Sequence, residues 1–133
     1  MTVGTRDEFN TAATAYEAAL TEWRSNINAL REAQAALRAA EWDLETLEAE
    51  LLLNLEVPER SNAEIRAALL RQACTNNEEW VDRAGSADLS RSNVAARTDA
   101  AQAARDRVSL EKRRLDFAIG WLGFLAQEGG ETE

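Results

Sequence analysis

Apolar positions return at alternating steps of four and three along most of this chain. They begin at Phe9, Ala13, Tyr16, Leu20, Trp23, Ile27 and Leu30, and continue through Leu37, Leu44, Leu51 and Leu55. A four-three repeat is the pattern of helices that meet along a seam. In the later part Gln34, Glu41 and Glu48 fall on the count, and the apolar stripe leans one position over onto Ala33, Ala40 and Leu47. Such a drift belongs to a nearly straight helix. "TRDE" at Thr5 to Glu8 has the form of a capping box, and Pro58 in "NLEVPER" closes the segment. A first helix is therefore predicted over 5–55.

A second series starts at Trp80 and runs Ala84, Ala87, Arg91, Val94, Thr98, Ala101, Arg105, Val108, Lys112, Leu115, Ile119, Leu122, Ala126. It passes through "AGSADLSRSN", whose glycine and serines have the composition of a loop. A loop has no reason to keep the phase of the count, so one long helix is predicted over 77–127, bent or frayed near Gly85. The competing expectation is a fresh helix start at Asp88 or Ser90, because glycine costs a helix about 1 kcal/mol. Between the long segments, "SNAE" at Ser61 to Glu64 reads as a second capping box, and Asn76 to Glu79 offers a third cap. They bracket a short amphipathic helix over 62–75, with Ile65, Leu69 and Ala73 on one side. Trp42, off the seam, is expected beneath that short helix. The tail 128–133, "EGGETE", is predicted to be disordered.

The predicted fold is all-α: a long antiparallel coiled-coil helical hairpin with a short connecting helix, one helical domain over 1–133. Its two rods are of equal length, roughly 75 Å at the helical rise. In this register the acidic run at 41–50 faces Arg83 and Arg91, and the basic residues near 110 face the region of Glu17 to Ile27.

Composition narrows the chemistry. The 133 residues include no histidine, so Ser-His and Cys-His dyads and imidazole metal sites are ruled out. The one cysteine, Cys74, precludes an intrachain disulfide and points to a reducing compartment. It reads as a small hydrophobe on the short helix. No glycine-rich phosphate loop is present, and the acidic run "EWDLETLEAE" reads as a solvated face. No catalytic residue, cofactor or metal ligand is assigned, and the chain is expected to be non-enzymatic. The opening "MTVGTRDEF" has no basic-then-apolar leader, and no apolar run is long enough to span a bilayer, so the expectation is a cytoplasmic protein without a membrane. A net charge of −9 argues against sequence-wide affinity for nucleic acid or anionic lipid.

Two surface features remain. "RDRVSLEKRRL" collects Arg105, Arg107, Lys112, Arg113 and Arg114, a candidate phosphate or acidic-partner patch whose plainer reading is salt bridges. "LDFAIGWLGFLA" carries more apolar surface than one seam uses: Phe117, Trp121 and Phe124 lie on another side from Leu115, Ile119 and Leu122. A helix apolar nearly all round needs a cover. With Leu125, and with Phe9 and Tyr16 at the same level of the partner helix, these residues form a candidate oligomer or partner interface.

The order of a long helix, "SNAEIRAALL", then "NNEEW" opening a second long helix, resembles a group of small phage and prophage proteins of unknown function. The resemblance rests on Asn62, Ala63, Glu64, Arg66 and Trp80. It implies a helical hairpin, and reading frames of that group resemble neighbours of recombination and single-strand-annealing genes. This chain departs from the group in placing Gly85 and Ser86 inside the second helix. The expectation is a self-associating coiled-coil protein that acts through protein partners, an accessory factor of a phage or mobile element. The alternative is a nucleic-acid-binding accessory in recombination or replication that uses the patch at 105–114.

Overall fold

The computed structural model describes the backbone of residues 2–131 and the side chains of residues 6–127. Three helices form: α1 (Thr2–Leu53), α2 (Ala63–Thr75) and α3 (Glu78–Glu131), with no strand among the described residues. The protein is an all-α helical hairpin in which α1 and α3 pack together.

The boundaries differ from expectation by small steps with identifiable causes. α1 starts at Thr2, so Thr5 lies within the helix and is not its cap. It ends at Leu53, two residues before Leu55. There the Asn54 N–H donates to the Glu50 carbonyl and the Leu55 N–H to the Leu52 carbonyl, each at 3.2 Å. The second bond spans three residues instead of four, the tightening common in a last turn. α2 is capped by Asn62 and not by Ser61: the Asn62 Oδ1 accepts the Ile65 N–H at 2.9 Å. The Ser61 hydroxyl instead donates to the Pro58 carbonyl at 2.6 Å. The cap of α3 is likewise Asn77 and not Asn76, its Oδ1 accepting the Trp80 N–H at 2.9 Å. Asn76 closes α2: its N–H donates to the Gln72 carbonyl and the Asn77 N–H to the Cys74 carbonyl, each at 3.1 Å. At its far end α3 runs to Glu131, four residues beyond Gln127, so 128–131 are helical; the last two residues of the expected tail lie outside the described residues.

α3 passes through Gly85 and Ser86 without a break. Gly85 is exposed, and a Cβ added to it would meet nothing within 4 Å. The residue costs helix propensity but no packing. Ala84 and Ala87 on either side are covered by the seam, which outweighs one unfavourable propensity.

The chain divides into two compact units to which both long helices contribute: Met1–Leu30 with Arg97–Glu133, and Arg31–Ala96. In the unit spanning Arg31–Ala96, α1 and α3 run antiparallel. Arg91 Nε lies 3.6 Å from Glu41, Arg83 Nη1 donates to the Asp43 carbonyl at 3.0 Å, and the Trp80 indole N–H donates to Glu48 at 3.1 Å. Both basic residues thus meet the acidic run, as the register predicts. Ala33, Leu47, Cys74 and Ala87 are the buried residues here. α2 covers its own side with Leu69, Leu70, Ala73 and Cys74, while Ile65 is exposed. Burial, then the negative Glu48 carboxylate, push the Cys74 thiol above its ordinary pKa. Trp42 does not lie under α2; it is 69% exposed.

In the unit of Met1–Leu30 and Arg97–Glu133 the helices are again antiparallel, with Arg107 Nη1 3.2 Å from Glu22. Among the described residues of this unit, Ala19, Ala101, Ala104 and Glu111 are buried. In both units the seam keeps the expected series at every seventh residue (Tyr16, Trp23, Leu30; Val94, Ala101, Val108) but leans one position N-terminal in the other. Ala19 is buried where Leu20 was counted, and Ala104 and Glu111 are covered where Arg105 and Lys112 were counted. Ile119 is exposed, while Ala118 beside it is half-buried. The reason is steric and electrostatic together. Alanine in the contact row lets the helices approach closely, and the lean leaves Arg91, Arg105 and Lys112 in water.

Candidate functional site

The lean of the seam decides what is left on the surface of the Met1–Leu30 and Arg97–Glu133 unit. On one side of the contact row α1 offers the small residues Thr11, Ala12 and Ala15. Opposite them α3 offers Leu110, Arg113, Arg114, Phe117, Ala118 and Trp121. Short side chains facing long ones leave a groove of ≈ 680 Å³, open to solvent, with Asp7 and Glu8 on its α1 wall. Its floor and α3 wall are mainly apolar and aromatic. Phe117 is 76% exposed, and the Trp121 and Phe124 rings stack with centroids 5.6 Å apart. Three half-exposed or more exposed aromatics at roughly 150–250 Å² each present an apolar patch on the order of 400 Å². That is the size at which an exposed patch on a monomer is often functional.

The carboxylate at the edge of this groove is held with care. Glu111 is buried, and its Oε1 accepts from Arg114 Nη1 at 3.0 Å one helical turn on. A buried carboxylate needs such a partner. Arg114 therefore both neutralises Glu111 and lines the groove. The Glu22 and Arg107 pair stands further along the same side.

The candidate residues are only partly brought together. Phe117, Trp121 and Phe124 share the groove side of α3. Phe9, Tyr16 and Leu125 are half-buried at seam positions, so they support the hairpin more than they present an outer face. The basic set is split by the contact row. Arg107 and Arg114 fall on the groove side, with Arg113 at its rim, whereas Arg105 and Lys112 fall on the opposite side by helical spacing. Two of the five are engaged by Glu22 and Glu111. In the connecting segment Asn62 is a cap, Arg66 Nη2 donates to the Ser61 carbonyl at 3.1 Å, and Trp80 is tied to Glu48. Glu64 is exposed in the first turn of α2. Each of these except Glu64 has a structural task.

The small residues of the α1 wall gave little signal in the chain, since threonine and alanine carry little weight in an apolar pattern; Thr11 is exposed and Ala12 and Ala15 are half-buried. A second exposed set also went unread. Ala35, Ala39, Trp42, Thr46, Ala49 and Leu53 follow one another at steps of four and three on the outer side of α1, and all are exposed. Among the described residues no group of three or more cysteine or acidic side chains is placed to hold a metal ion, and no helix is long and apolar enough to cross a membrane. Comparison with protein-family models, with curated proteins and with solved structures found no match to this chain.

Proposed function

We propose that this protein is a non-enzymatic binding module: a helical hairpin that self-associates and works through protein partners, using the aromatic groove of its Met1–Leu30 and Arg97–Glu133 unit. The observation that carries the reading is the groove itself, in which Phe117 and Trp121 stand exposed opposite a wall of small residues. Aromatic side chains with arginines at the rim are the composition of protein-binding hot spots. A cytoplasmic setting and an accessory role for a phage or mobile element, as the resemblance implies, belong to the same proposal. The genes beside this one bear on that role. The division of the basic set across the contact row favours protein over nucleic acid as the ligand.

Light scattering coupled to size exclusion tests the reading. The wild type is expected to show a mass above the monomer that rises with concentration. Trp121→Glu places a charge in the groove and is expected to give a monomer with unchanged helical circular dichroism. A monomeric wild type at all concentrations removes the self-association.

A further inference from the structure

The two walls of the aromatic groove carry opposite charges at opposite ends, and that pattern suits a second copy of the same groove. We propose that association is two-fold. The grooves of two molecules meet face to face, with Phe117 near the axis and Asp7 and Glu8 of each copy against Arg113 of the other. This rests on the self-association proposed above and names its partner surface and its symmetry.

The register of the unit locates the charges. Arg107 stands against Glu22 and the helices run antiparallel. Ten residues on from Arg107 and ten back from Glu22 therefore set Phe117 level with Ala12, and both line the groove. Glu8 lies four residues before Ala12, and Arg113 lies four before Phe117. Because the helices run in opposite directions, the two charges fall on opposite sides of that level, each about 6 Å from it along the groove. They also stand on opposite walls. A two-fold axis across the groove mouth, through its middle and at right angles to the line joining them, sets acid on base twice. Among the described residues Asp7, Glu8 and Arg113 form no ion pair within their own chain, and all three are exposed. Arg114 is held by Glu111 and takes no part in this pairing. The apolar middle supplies affinity, and the charges fix orientation by setting like against like in other arrangements. Two such patches face to face bury on the order of 800 Å² of apolar surface. The rims bring the contact toward the roughly 1,200 Å² of the smallest specific interfaces. The dimer is accordingly one that dissociates on dilution.

Such a contact is isologous and closes at two copies. Charge reversal tests it, because a two-fold contact broken in each of two variants is restored between them. Arg113→Glu sets like charges together in its own dimer, and so does Asp7→Lys with Glu8→Lys. Each variant alone is expected to raise the dimer Kd by about tenfold, read by light scattering over a dilution series. An equimolar mixture is expected to return to within about threefold of the wild type, since both contacts of the mixed dimer again join opposite charges. Within each chain the like charges persist in the mixture, so recovery reads the contact between molecules. All three side chains are exposed, so both variants are expected to keep the helical circular dichroism. Variants that associate as the wild type does, or a mixture no tighter than its parts, overturn the two-fold pairing. The groove still stands as the interface in that case if Trp121→Glu is monomeric. A wild type that grows beyond a dimer overturns the pairing as well. A wild type that is monomeric at all concentrations removes both readings.

Discussion

Gly85 looks like a break in the chain and behaves as a gap in a helix surface. It is exposed, and nothing stands within 4 Å of where a Cβ would be, so only propensity is at stake. Gly85→Ala is expected to raise stability by about 0.5–1 kcal/mol, read as a higher urea midpoint with an unchanged m-value. A loss of stability would mean that the backbone there is not helical. Cys74 makes a pH-dependent case. Its thiol is held above the ordinary pKa by burial and by Glu48, so the folded state prefers the protonated form. That contribution is whole below the unfolded thiol range, about 8.5, and is lost as pH rises through the higher folded value. Cys74→Ala is therefore expected to show a shallower fall in urea midpoint between pH 7 and pH 9.5 than the wild type. Equal slopes for the two would place the thiol in water.

At the scale of elements, the helices and their antiparallel order were legible because two independent counts of four and three run through the chain. What the count leaves open is which of two adjacent columns meets the partner. Leu20 and Ile27 draw the eye to one column, but close approach favours Ala19 in the other, and alanine carries little weight in any apolar pattern. The caps slipped by one residue for a similar reason. Ser61 and Asn62, and Asn76 and Asn77, are all competent caps, and only the folded path of the linker selects between them. Asn62→Ala and Asn77→Ala are each expected to cost about 1 kcal/mol in a denaturation series, against a few tenths for Ser61→Ala. Equal losses at Ser61 and Asn62 would restore the capping box read from the chain.

For the whole molecule, the surplus of aromatics near the C-terminus announced an uncovered surface, and the groove is that surface. Its other wall was illegible because the wall is defined by what is small. The basic cluster shows the converse: "RDRVSLEKRRL" is dense in sequence, yet helical geometry divides it around the contact row and Glu22 and Glu111 engage part of it. Linear density is thus a poor guide to a patch on a helix. If association stabilises the fold, melting temperature rises with protein concentration in the wild type. The same comparison on Trp121→Glu, already singled out for light scattering, is expected to be flat.

The junction at Asn76 and Asn77 bears on how the chain tolerates changes of length. One asparagine ends α2 and the next begins α3, with no spare residue between them. Adding a single residue there turns everything downstream by about 100° relative to α2. It would separate the buried Cys74 from the Trp80 and Glu48 pair, or force α3 out of phase with α1. The segment 54–62 has no such coupling and is exposed for most of its length. Relatives of this chain should therefore vary in length before α2 and be invariant in length after it, so that the spacing from Cys74 to Trp80 serves as a ruler for recognising them.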